Sequence, residues 1–286
     1  MTPFTYLEPT TLSEAMELLA RHGDDAKVIA GGTALINFMK SHLSQPRFVI
    51  GLRRLTFLHG IAANGETSIG ALTTLNTIEN SPLIAHAAPL LAETCSHVAT
   101  PRIRMMATIG GSIAHADPAL DMPPSLVAVN ARAKVCSLRG EREVPLQRFF
   151  TGLFETVLVP DELVTEIVVP PQPAGCGWAF VKFLPATQDD YPTVSVAVRL
   201  ALKNGMIADA RIALGAVGTT LAHAEKAELA LRGMKADEGS YRQAGEMIAA
   251  ELMPLADFRG SPEYKRSMAA VHVRRALSAA AARAAA

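Results

Sequence analysis

Apolar and polar positions alternate with two different periods along this chain, short mixed elements coming first and long alternating ones later. From Thr11 to Arg21 the apolar residues recur at helical spacing, with Thr11 or Ser13 as the N-cap and Gly23 as the stop. Lys27–Ala30 reads as a short strand and Phe48–Leu52 as another. Between them Leu35, Ile36, Phe38, Met39 and Leu43 are apolar at helical spacing, so a helix starts at about Ala34 and the three make a βαβ-like unit. Leu58–Ala62 and Thr67–Ala71 flank an Asn64-Gly65 turn, a hairpin signal. Leu75–Glu79 and Leu83–Val98 read as helices punctuated by Pro82 and Pro89. Pro123-Pro124 reads as a chain stop, and Ser125–Val129, Ala133–Leu138 and Glu143–Pro145 read as strands, with a turn at Arg139-Gly140. Leu163–Val169 alternates as a further strand.

The proline-rich stretch from Pro170 to Gly175 stops both ladders and helices and marks a boundary. Beyond it, Trp178–Leu184, Thr193–Leu202 and Ile207–Gly215 alternate as three strands, the last two joined at Asn204-Gly205. Leu221–Leu231, Tyr241–Leu252 and Tyr264–Ala282 follow as helices, and Ala279–Ala286 reads as a fraying end without a role. A meander followed by helices is an α+β arrangement. The expected division is 1–172, with lobes of about 1–57 and 58–172, then 173–286.

Composition narrows the function. A chain of 286 residues, 49% hydrophobic, is long enough for two cores. Lys plus Arg balances Asp plus Glu at 27 each, which gives no field toward nucleic acid or anionic lipid. Aromatics at 5% leave little for base stacking. Cys95, Cys136 and Cys176 form no Cys-x-x-Cys and cannot supply the four thiolates of an iron–sulfur cluster. With no signal-peptide pattern and no apolar run of membrane-spanning length, a cytoplasmic protein without a membrane span is expected.

Two glycine pairs carry the candidate chemistry. Ala30-Gly31-Gly32-Thr33-Ala34-Leu35 follows a strand and opens a helix, and Thr108-Ile109-Gly110-Gly111-Ser112 is similar in composition. A glycine turn with a small hydroxyl residue before a helix makes a backbone nest for an anion. Either pair alone is as readily an ordinary turn; together they could hold a dinucleotide pyrophosphate. Gly-x-Gly-x-x-Gly is absent after Ile29, and so is the P-loop pattern, so neither a Rossmann domain nor a P-loop NTPase is expected.

These residues resemble the medium, FAD-binding subunit of the molybdenum hydroxylases, the xanthine dehydrogenase–carbon monoxide dehydrogenase family. The resemblance runs through nearly the whole length. It rests on the two glycine segments, the second extended as Ile113-Ala114-His115-Ala116-Asp117-Pro118-Ala119-Leu120-Asp121. Ile69–Thr74, Phe180–Phe183, Ser261–Arg266 and Val273–Leu277 also fit. It implies an α+β protein, with a two-lobed FAD-binding domain of the vanillyl-alcohol-oxidase (PCMH) type followed by a smaller α+β domain of antiparallel sheet and helices. It implies non-covalent FAD, contacted by Ala30, Gly31, Gly32, Thr33, Ala34 and Leu35 and by Thr108, Ile109, Gly110, Gly111 and Ser112. Thr74 is placed at the cofactor cleft, Asp117 and Asp121 as acceptors for cofactor hydroxyls, and Lys182 and Tyr191 at the flavin ring. No catalytic residue and no metal ligand is implied on this chain. Arg104-Met105-Met106-Ala107 departs from the family's usual Arg-Asn-x-Gly, which puts the turn before Thr108 in question because alanine resists positive φ.

The expected function is electron transfer. A large molybdopterin-binding subunit oxidises substrate, a small subunit carries two 2Fe-2S clusters, and FAD here delivers electrons to an external acceptor, in a dimer of heterotrimers. A self-contained FAD oxidase or dehydrogenase and a flavin-free assembly module are the alternatives. Residue by residue, plainer readings stand beside these. Asp117 and Asp121 are also turn formers or N-caps, Lys182 also pairs with a carboxylate, Tyr191 also packs in a core, and His115 is structural. Arg102, Arg104, Met105 and Met106 are expected at a surface for the iron–sulfur partner, or else buried and paired locally.

Overall fold

The computed structural model describes residues 1–184, 187 and 190–285. Three parallel strands begin the chain: β1 (Thr5–Leu7), β2 (Ala26–Ile29) and β3 (Phe48–Gly51), in the order β1-β3-β2. Helices α1 (Leu12–His22) and α2 (Leu35–Lys40) make the crossovers. Thr11 is the N-cap of α1, its hydroxyl accepting from the Glu14 N–H, and Gly23 ends it at φ +51°. Ala15, Leu19, Ile50, Leu55 and Leu58 form this lobe's core.

The second lobe is a five-stranded antiparallel sheet. Its strands are β4 (Ile61–Asn64), β5 (Glu66–Gly70), β6 (Arg132–Ser137), β7 (Gly140–Pro145) and, after the hairpin β8 (Phe150–Gly152) and β9 (Glu155–Thr156), β10 (Leu163–Val169). The order β4-β5-β10-β6-β7 places the last strand in the middle. Between β5 and β6 the chain makes six short helices: α3 (Leu75–Glu79), α4 (Pro82–Ala87), α5 (Pro89–Ser96), α6 (Pro101–Arg104), α7 (Ile109–His115) and α8 (Met122–Ala128). The expected single helix over Leu83–Val98 is therefore two, broken at Ala88 where Pro89 begins the next. The expected strand over Ser125–Val129 is instead α8. Its prolines, Pro123 and Pro124, occupy the first turn, where a missing N–H leaves no helical bond unmade. Every residue of α8 is buried, so its sequence carries no polar stripe to reveal the helical period.

The remainder is a meander of β11 (Cys176–Phe183), β12 (Val194–Lys203), β13 (Met206–Gly215) and β14 (Ala222–His223), followed by α9 (Glu225–Leu231), α10 (Glu238–Glu251) and α11 (Pro262–Ala284). The expected helix over Leu221–Leu231 thus begins later, after a two-residue strand. One face of the sheet packs on α10 and α11 through Val196, Val198, Ile212 and Leu214. The other places Phe180, Ala197 and Ala213 in the second lobe's core with Leu126 of α8. Covering on both faces buries β12 along most of its length. The chain's end has a role: Arg283 ion-pairs Glu93 at 2.5 Å and donates to the Trp178 carbonyl at 2.7 Å, tying α11 to α5 and β11. Ala286 lies outside the described residues. Among the described residues no helix is long and apolar enough to cross a membrane.

Candidate cofactor site

The two glycine loops meet. The first joins β2 to α2, and Gly31 lies so close to the chain before α7 that a Cβ there would overlap the Met106 carbonyl. Gly32 takes φ +72°, the left-handed conformation that glycine adopts freely. Among the described residues, no acceptor is recorded for the N–H groups of Gly31, Gly32 and Thr33. Thr33 keeps its carbonyl occupied by the Asn37 side chain at 3.0 Å, and Ala34 and Leu35 start the helix.

The second loop is built differently. Thr108 caps α7, its hydroxyl accepting from the Gly111 N–H at 3.1 Å. The Ile109 N–H donates to the Thr73 carbonyl at 3.0 Å and the Gly110 N–H to the Ala71 carbonyl at 2.9 Å. Ser112 donates its hydroxyl to the Thr108 carbonyl at 3.0 Å. The first-turn amides of α7 are thus used within the protein. Gly110 is tight against Ala71, whereas at Gly111, which is exposed, a Cβ would meet only the Thr108 hydroxyl, at 2.9 Å. What this loop offers outward is a face without a side chain rather than free donors. Thr74 lies alongside, bridged to Thr108, with its hydroxyl capping α3.

The turn before Thr108 needs no glycine. Ala107 is absent from the positive-φ residues, is buried, and passes its N–H to the Ile103 carbonyl at 2.7 Å. Met105 and Met106 are exposed, as expected for a contact surface. Arg104 is not. It is buried, donates to Glu79 at 2.7 Å and to the Val98 carbonyl at 2.9 Å, and so locks α6 to α3 instead of facing a partner.

Asp117 and Asp121 lie between α7 and α8 and differ in state. Asp117 accepts from the Ala119 N–H at 2.9 Å, making an Asx turn. Asp121 is buried and pairs with the Lys182 ammonium at 2.7 Å, which also donates to the His97 carbonyl at 3.0 Å. Burial pushes the Asp121 carboxyl up to about 6, and the Lys182 charge opposes that only in part. Its Oδ1 has no hydrogen-bond partner among the described residues. The Lys182 Nζ therefore points to Asp121 and α5, so its direct hydrogen-bonding partners are this carboxylate and the His97 carbonyl. Tyr191 is partly exposed, with the Arg259 guanidinium 5.5 Å from its ring centre. Burial, then the charges of Asp117 and Asp121, raise its hydroxyl's pKa.

Sequence reasoning missed Arg259, which holds the Tyr191 carbonyl at 3.1 Å and Asp190 at 2.8 Å. It lies 68 residues from Tyr191, and nothing local signals the pairing. Of the four loop glycines only Gly32 has a positive φ.

A lobe of parallel strands against a lobe of antiparallel ones, with glycine loops at their seam and an α+β domain behind, defines a flavin-binding class of fold. Residues 2–172 match the family described as the FAD binding domain in molybdopterin dehydrogenase, and residues 179–280 match the CO dehydrogenase flavoprotein C-terminal domain. The carbon monoxide dehydrogenase medium chain of Hydrogenophaga pseudoflava is 38% identical over 281 residues, 98% of each chain. The nicotine 6-hydroxylase medium subunit of Paenarthrobacter nicotinovorans is 34% identical, covering 97% of each. A solved structure of the Hydrogenophaga pseudoflava enzyme superposes with a TM-score of 0.96 at 39% identity, 99% of each chain. Quinoline 2-oxidoreductase from Pseudomonas putida 86 gives 0.93 at 32% identity, covering 99% of this chain and 98% of that one. The chain belongs to the FAD-binding medium subunits of the molybdenum hydroxylase family, and it is an oxidoreductase subunit.

Proposed function

We propose that FAD lies non-covalently along the seam of the two loops, its pyrophosphate on the amides of Gly31, Gly32 and Thr33. The observation that carries this is that, among the described residues, three successive N–H groups have no protein acceptor while the apposed loop presents Gly111 without a side chain. Exposed amides at a turn favour an anion, and the missing Cβ lets it approach the backbone. The free Oδ1 of Asp121 is suited to accept a hydrogen bond from a cofactor hydroxyl, since a buried carboxylate oxygen without a partner is costly. Asp117 keeps one oxygen on its turn and the other available for the same use. Tyr191, steadied by Arg259, supplies a face for the flavin ring. Lys182 acts through Asp121, holding the carboxylate in place.

Bound FAD supplies the redox chemistry, taking electrons from 2Fe-2S clusters of a small partner subunit and passing them to an external acceptor. Substrate oxidation then belongs to a large molybdopterin-binding subunit, in a dimer of heterotrimers in the cytoplasm. The chain's contribution is to hold and orient the cofactor in two units, 1–172 and 173–286. Acid precipitation of the purified full chain should release yellow FAD to the supernatant, and flavin retained in the pellet overturns the non-covalent placement. Purification of the native protein should bring molybdenum, iron and two further chains. Isolation alone, with oxidation of a small substrate by the chain itself, overturns the relay.

A further inference from the structure

We infer that the ring cluster of Phe38, His115 and Phe154 sets the angle between the two glycine loops and so positions FAD; this rests on the cofactor placement proposed above. The two loops touch through Gly31 and the Met106 backbone. A second fixed point lies where the helices leading out of the loops meet. Phe38 on α2 stands edge-on to His115, the last residue of α7, with ring centres 5.0 Å apart and planes at 73°. Phe154, at the tip of the β8–β9 hairpin, closes the triangle at 5.2 Å from each.

The rest of α2 holds little: Met39 alone among its residues is buried. The hairpin side is costly to maintain, since Ala116 and Phe154 take φ +52° and +59° in the left-handed region, where a bulky side chain is an outlier. Such backbones persist where the surroundings over-determine them, and the Phe154 N–H donating to the Ala116 carbonyl at 3.2 Å ties the two strained residues together. Burial lowers the pKa of His115, with Asp117 opposing, so at neutral pH the ring is uncharged and suited to edge-to-face packing. Two fixed points on two short helices define one angle, and with it the spacing from the Gly31–Thr33 amides to Gly111. Phe38, His115 and Phe154 are positioning residues.

The test measures FAD dissociation from the full chain by flavin fluorescence, with circular dichroism and Tm as checks on folding. His115→Leu and Phe38→Leu each remove one ring at similar volume, and FAD affinity should fall about tenfold in each, the upper end of an aromatic pair's worth. The double variant should be little worse than either single one, because the rings act as a unit. His115→Phe, which keeps a ring, should remain within about threefold of wild type. Phe154→Gly removes the ring and the left-handed strain together, so Tm should hold while affinity falls, which tests the inference even if the leucine variants fold poorly. Unchanged affinity in Phe154→Gly or in the folded leucine variants, or additive losses, overturns the inference while the cofactor placement stands. A wild-type chain that takes up no FAD overturns the placement itself.

Discussion

Replacing Lys182 by Met removes the counter-charge of a buried carboxylate while preserving most of the side chain's length and its apolar stem. In the wild-type protein the pair is 2.7 Å apart with 3% and 6% of the side chains exposed, so water does little to screen it. The Asp121 carboxyl is raised from its ordinary 3.8 to about 6 even with Lys182 in place. The folded state therefore binds more protons than the unfolded chain between those values. Stability falls as pH rises through this window, by about 3 kcal/mol in all, and is level above it. Without Lys182 the desolvation is unopposed and the carboxyl titrates higher still. Below pH 6 Asp121 is neutral in both proteins, and the variant loses mainly the hydrogen bonds to Asp121 and the His97 carbonyl, about 1–2 kcal/mol. Above pH 6 the gap widens by about 1.4 kcal/mol per pH unit until the variant's own carboxyl ionises. With the variant's carboxyl still neutral at pH 8, the total reaches about 4–5 kcal/mol, within the range for breaking a buried pair. Urea denaturation at pH 5 and pH 8 measures both ends. The double variant Lys182→Met/Asp121→Asn should lose the pH dependence. An equal loss at the two pH values refutes the reasoning.

Gly111→Val places a branched side chain on the outward face of α7, and FAD binding should be lost while the fold is kept; wild-type affinity in the folded variant removes that loop from the site. Gly31→Ala should both destabilise and abolish binding, because a Cβ there overlaps the Met106 carbonyl, and a Tm equal to wild type speaks against the close seam. Arg104→Ala leaves Glu79 and two carbonyls without their donor, so chemical denaturation should register a loss of about 3 kcal/mol rather than a docking defect. If Arg104→Ala keeps wild-type stability but weakens partner binding, the surface reading of Arg104 is restored.

Local patterns were legible where a local rule governs them. Thr11 and Gly23 bracket α1 because an N-cap hydroxyl and a positive-φ stop act within a few residues. Asn204-Gly205 turns β12 into β13 because both residues take positive φ. The glycine pairs stood out because a close approach of two backbones excludes side chains, as at Gly31 against the Met106 carbonyl. Ser125–Val129 was misread because burial on all sides erases period, and an apolar run of that length serves strand or helix equally. Only packing against β12 and β13 decided it.

The same division holds at the site. By itself the sequence determined the glycine loops, the family and the set of candidate residues, since each is a property of neighbours along the chain. Which partner each of those residues meets was decided by tertiary structure. Lys182 was left between the flavin ring and a carboxylate, and Asp121, 61 residues away, takes its ammonium. Arg104 was left between a partner surface and local pairing, and Glu79 with the Val98 and Ala99 carbonyls draws it inside. The amides of α7 were counted as free until Thr73 and Ala71 occupied two of them. The physical reason is common to all three: a charge or donor leaving water must find a partner, and that partner is set by what the fold brings close, whatever the distance along the chain.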